Sequence, residues 1–200
     1  MAYSDFTFAK LKQKYGIDQN DIILFEPVKF DLIAPSKRLS EDIDDKRLMP
    51  LYTGKAQSEI LIYPIFRELK KRNKHISIFS GYTFNIETEQ ELSGEPDFLI
   101  TSKQNIIEPQ RPIFCLVNQF PEDGFAQCAA EMYAARLFNQ QNNEPFEIIY
   151  GAVTNGYDWS FLKLEGNTVY VDIDRYFINE LPKLLGILQF IVDQSKPKSD

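Results

Sequence analysis

The chain has 200 residues, 44% of them apolar, and a formal charge of −7, enough length and apolar content for one α/β unit with a buried core. The negative balance argues against sequence-independent nucleic-acid binding, whose affinity comes mainly from lysine and arginine on phosphates. No run approaches the roughly 18 to 20 apolar residues of a membrane span, and MAYSDFTFAKLKQKYG lacks the basic-then-apolar order of a secretory signal, so the reading is a cytoplasmic protein without membrane association.

In chain order, DFTFAKLKQKYG predicts a short helix closed by Gly16, DIILFEPVKFDLI one or two extended segments, and SKRLSEDIDDKRL a polar surface helix. KAQSEILIYPIFRELKKRN sets Ile60, Leu61, Pro64, Ile65 and Leu69 close to a 3.6-residue period, with Pro64 implying a kink or a helix that begins near it. Its end, RELKKRNK over Arg67 to Lys74, carries five cations in eight residues. These read as a solvated helix terminus whose charges suit the C-terminal dipole.

HISIFSGYTFNIE and EPDFLITS are β-rich runs, and Ile113 to Val117 forms a near-continuous apolar strand. The helix GFAQCAAEMYAARLFN follows, its alanines allowing close approach of a sheet. Turns at Asn155-Gly156 and Glu165-Gly166-Asn167 divide the next stretch into three strands. YFINELPKLLGILQFIVDQ then places Phe177, Ile178, Leu181, Leu184, Leu185, Leu188, Ile191 and Val192 on one face of a closing helix. The expected organisation is α/β, a mixed central sheet with helices on both faces. One domain spans 1–194, with an N-terminal extension over 1–50, a core over 55–172 and a disordered tail over 195–200.

Two cysteines, Cys115 and Cys128, are too few for a disulfide framework and lack zinc-type spacing, so both read as small buried apolar groups. A single histidine, His75, reads as a surface residue and has no partner spacing for a Ser-His-Asp or Cys-His centre. No phosphate-loop or dinucleotide glycine fingerprint occurs.

Three features stand in a telling order: Glu59 in QSEILIYPIF, Asp97 in SGEPDFLI, and the strand CLVNQF feeding QCAAEMYAARLFN. This order resembles the PD-(D/E)XK nuclease-like superfamily, with its restriction endonuclease-like αβββαβ core. It most resembles a bacterial group in which a segment like SEFLIAPIL precedes a strand like ISIFSG, a G-x-x-DF run, a strand ending V-E-A-K and a G-x-x-QC-x-AEM-x-A helix. The likeness covers roughly Lys55 to Asp172.

It implies a Mg²⁺-dependent phosphodiesterase site with Asp97 and Glu59 as metal ligands and Gln127 nearby, acting on nucleic acid. Such chemistry wants carboxylates on a hard cation and a lysine beside the attacking water. By the resemblance, the glutamate and lysine positions are Asn118 and Phe120: a neutral amide and a side chain with no proton or charge. Loss of a general acid/base group alone costs roughly 100- to 10,000-fold. The expectation is therefore a degenerate nuclease without a cofactor, serving binding or scaffolding.

The alternative is an active Mg²⁺-dependent nuclease with a migrated site. Glu131, one turn from Gln127, and Glu122 or Asp123 would supply carboxylates, and Lys70 or Lys103 the cation. Plainer readings stand beside these: Asp97 as the start of a strand, Glu59 as a first-turn helix acid, Gln127 and Glu131 as a solvated stripe, and Phe120 as core.

Overall fold

A computed structural model describes residues 1–26, 30–86, 92–104 and 107–196. The first helix, α1 (Phe8–Tyr15), starts where the Thr7 hydroxyl accepts from Lys10 N–H. It stops at Gly16, which takes the left-handed conformation, φ 67°, that a glycine adopts at least cost. Strand β1 (Asp18–Ile22) follows, and Leu24 and Phe25 beyond it are buried without being strand. Ser36 caps α2 (Lys37–Asp44) through Leu39 N–H.

One helical run covers Gly54 to Arg72 as α3 (Gly54–Gln57), a π-helical turn (Ser58–Ile62) and α4 (Tyr63–Arg72). The helix thus begins well before Pro64. Proline has no N–H to donate to the Ile60 carbonyl, and the turn just upstream is widened, with Tyr63 N–H bonded to the Ser58 carbonyl. Glu59 consequently sits in mid-helix and not in a first turn.

Strands β2 (Ser77–Ser80), β3 (Phe98–Thr101) and β4 (Pro112–Asn118) form an antiparallel meander. The long helix α5 (Pro121–Gln141) then returns the chain to β5 (Ile148–Thr154), which runs parallel to β4. The expected turns lead through β6 (Asp158–Glu165) to β7 (Thr168–Asp172), and β1 lies parallel on the far side of β7.

A two-residue strand, β8 (Tyr176–Phe177), pairs with β6 and a 3₁₀ turn (Ile178–Glu180) precedes α6 (Leu181–Asp193). The apolar face expected for this helix is therefore shorter than its sequence suggested. Pro182 fits the first turn of α6, where an N–H would be idle, so Phe177 falls in β8, 46% exposed, and Ile178 is buried in the 3₁₀ turn.

Among the described residues the fold is mixed α/β, one open sheet of eight strands in the order β1-β7-β6-β5-β4-β3-β2, with β8 beside β6. Helices flank it, and among those described none is long and apolar enough to cross a membrane. Each face carries its own core. Alternation along β4 sends Phe114 and Leu116 to a cluster with Phe66, Trp159 and Leu188 of α6, and sends Cys115 and Val117 to a cluster with Cys128, Met132 and Ala135 of α5.

The alanines of α5, Ala129, Ala130, Ala134 and Ala135, are buried in this second core, and β5 meets the helix at a glycine. A Cβ added to Gly151 of β5 would meet Met132 Sδ at 2.5 Å and Cys128 Sγ at 2.6 Å, so helix and sheet touch where side chains would otherwise stand. Residues 197–200 of the expected tail lie outside the described residues, as does part of the polar segment between β2 and β3.

Candidate functional site

Asp97, Asn118, Gln127 and Glu131 gather where β4 ends and α5 begins, but two faces of the sheet divide them. Asp97 is half-buried just before β3, and its carboxylate accepts the backbone N–H of Asn118 at 2.7 Å. Asp97 therefore meets the main chain of Asn118 and not its side chain.

The Asn118 side chain leaves the strand on the other side. Its amide nitrogen donates to the Gly54 carbonyl at 2.6 Å and to Ser58 Oγ at 2.9 Å, tying the tip of β4 to α3 and the π-turn. A carbonyl only accepts, so Gly54 fixes which way the amide points. Asn118 Oδ1 is left buried without a hydrogen bond.

A second polar chain occupies the α5 face. Gln119 donates to Gln127 at 3.2 Å, and Gln127 donates to Glu131 at 3.0 Å. Glu131 is wholly buried and its Oε2 has no partner, which corrects the reading of a solvated stripe: helical spacing put the acid beside Gln127 but could not show that the sheet covers it. Burial raises its pKa well above the usual carboxylate range; the Gln127 hydrogen bond opposes this, and the negative charge of Asp97 adds to it.

Asp97 is itself raised by desolvation, with the Asn118 N–H opposing. Being less buried, Asp97 ionises first, and its charge then helps hold the proton on Glu131. Glu131 in turn helps raise the thiols of Cys115 and Cys128, after burial, the larger cause. Both cysteines are free and buried, as expected.

The remaining candidates lie apart. Glu59 is exposed on the π-turn, and its carboxylate makes no hydrogen bond or ion pair among the described residues. Phe120, expected in the core, is 66% exposed because it stands at the N-cap of α5, where the chain turns off the sheet. Glu122 pairs with Arg175 at 2.5 Å, and Asp123 is exposed in the first turn of α5.

Neither lysine is at this tip. Lys70 donates to the carbonyls of Lys74 and Ile76. Lys103 pairs with Glu144 beyond the opposite end of β3, six residues from Asp97 or about 20 Å along an extended chain. His75 is half-buried with Nε2 unpartnered, and its pKa is lowered by burial first and then by neighbouring charge dominated by Lys196.

Among the described residues no group of three or more His, Cys, Asp or Glu side chains is placed to hold a metal ion. The donor set around Asp97 is a poor fit to Mg²⁺, which prefers ionised oxygen ligands in an octahedral shell that keeps several waters. One carboxylate is half-buried and already hydrogen-bonded, the second is wholly buried with burial opposing its ionisation, and the amide at the resembling position is turned to Gly54 and Ser58 on the other face of the sheet. What the arrangement does do is tie the tip of β4 to α3 and the π-turn on one face, and link Gln119 just beyond it to α5 on the other. No protein-family model and no curated protein matches the chain.

Proposed function

We propose that this chain is a PD-(D/E)XK-like domain that has lost its nuclease centre and acts by binding or scaffolding in the cytoplasm. The observation that carries the reading is the commitment of Asn118: its amide is spent on Gly54 and Ser58, away from Asp97. Phe120, at the position where the resemblance wants a lysine, faces solvent with neither charge nor proton to offer. The connectivity from α4 through β2, β3, β4 and α5 to β5 agrees with an αβββαβ order, which supports the fold analogy and says nothing by itself about activity. Two buried free thiols suit a reducing compartment.

The competing reading, a Mg²⁺-dependent nuclease with migrated carboxylates, draws on the nearness of Glu131 to Asp97. It requires an acid that water does not reach to ionise, without a lysine at hand. Supercoiled-plasmid nicking in Mg²⁺ or Mn²⁺ separates the two. Loss-of-function predicts no nicking above a buffer control, whereas metal-dependent nicking abolished in both Asp97→Ala and Glu131→Gln would establish the migrated site.

A further inference from the structure

The two ends of the sheet are treated differently. At one end β1, with sequence DQNDI, carries two aspartates, and Lys12 pairs with Asp18 at 2.5 Å. Such charges discourage a further strand from adding. At the other end β2 reads SIFS, bears no charge and, among the described strands, pairs with β3 alone.

Beside β2 lies a cleft of about 300 Å³ between this strand and α4. Tyr63, Phe66, Ile78 and Phe79 give it an apolar lining, Arg67 and Lys70 stand at it, and none of the described residues that line it is acidic. Arg67 is shared with Asp42, and Lys70 keeps donors beyond its two carbonyl contacts. Lys71 and Lys74 of the same basic run are exposed nearby in the chain. A protein of net charge −7 thus concentrates cations next to an apolar slot and a strand edge that carries no charge of its own.

We infer that β2 and this cleft form a docking site for an extended acidic peptide of a partner protein. The peptide adds antiparallel or parallel to β2 through main-chain hydrogen bonds. Alternate side chains fall into the cleft, and its carboxylates meet Arg67, Lys70 and the lysines that follow. A nucleic acid is disfavoured because it brings no backbone amides to a strand edge and meets an acidic molecule elsewhere. The inference concerns a surface remote from the Asp97 chemistry and holds whether or not that chemistry is lost.

The probe is a fluorescein-labelled decapeptide in which glutamate alternates with valine, with the lysine-for-glutamate peptide as its counterpart, read by fluorescence anisotropy. Binding of the acidic peptide alone, with slowed amide exchange at Ile78 and Ser80, whose N–H groups face away from β3, is the expected result. Lys70→Glu is expected to weaken it about five- to tenfold. Tyr63→Ala, at a residue 48% exposed and so tolerant of truncation, gives a second reading, with a thermal melt confirming that each variant is folded. The proposal is overturned by no binding up to about 1 mM, by equal binding of the lysine peptide, or by indifference to both substitutions. Self-association through β2 that the acidic peptide does not displace overturns it too, in favour of a second copy of the chain.

Discussion

Replacing Glu131 by glutamine removes an ionisable group from the interior while keeping its shape. In the folded protein the Glu131 pKa lies well above its unfolded value of about 4.5, because burial and the Asp97 charge disfavour the anion. The folded state therefore holds a proton that the unfolded state releases once pH exceeds that value. Stability should fall as pH rises, by up to about 1.4 kcal/mol per pH unit from this group until it ionises in the folded state too.

Glutamine has no such proton to hold. The stability difference between Glu131→Gln and the parent should be small near pH 4.5 and grow as pH rises. The variant should therefore be the more stable of the two at pH 8, by up to about 1.4 kcal/mol for each pH unit over which the parent's buried acid keeps its proton. For a chain of this length each kcal/mol moves the melting temperature by about 2 to 4 °C. Urea titrations at half-unit intervals from pH 4.5 to 8.5 measure it. Parallel stability curves for the two proteins, or a variant less stable at pH 8 than the parent, would refute the account of Glu131 as a buried neutral acid.

Asn118→Ala should cost about 1 to 3 kcal/mol, and amide exchange should accelerate over Gly54 to Ile62, which its side chain tethers. Gly151→Ala pushes a methyl into Met132 and Cys128 and should cost about 1 to 3 kcal/mol in a urea melt. Ellman's reagent should leave both thiols untouched in the native protein and titrate two on unfolding, since Cys115 and Cys128 are buried with raised pKa values. Asn118→Glu combined with Phe120→Lys should restore no plasmid nicking, because the new carboxylate would face the Gly54 carbonyl and not Asp97.

Much of this fold was written in local signals. Gly16, the turns at Asn155-Gly156 and Glu165-Gly166-Asn167, and the alanine-rich α5 each depend on residues within a few positions, so their chemistry is visible in the chain. The candidate site was less legible. Spacing of two along β4 put Asn118 and Phe120 on one face, but the strand ends at Asn118 and Phe120 already belongs to the helix cap. The burial of Glu131 depends on how closely α5 lies on the sheet, and the parallel docking of β1 depends on a partner far along the chain. The π-turn had a local cause in Pro64, yet a kink, a fresh start and a widened turn all satisfy one missing N–H.

The pairing of β1 with β7 also bears on how the chain is made. Asp18 finds its partner at Thr168, 150 residues later, so the first strand leaves the ribosome with nothing to pair with. At about 5 to 20 residues per second it waits roughly 8 to 30 seconds for β7. Its two aspartates, with Lys12 and Lys14 before it, should disfavour association with other chains during that interval. The same charges that deter a foreign strand from the finished sheet thus protect the unfinished one, and neutralising Asp18 and Asp21 should lower the yield of soluble protein more than the stability of what folds.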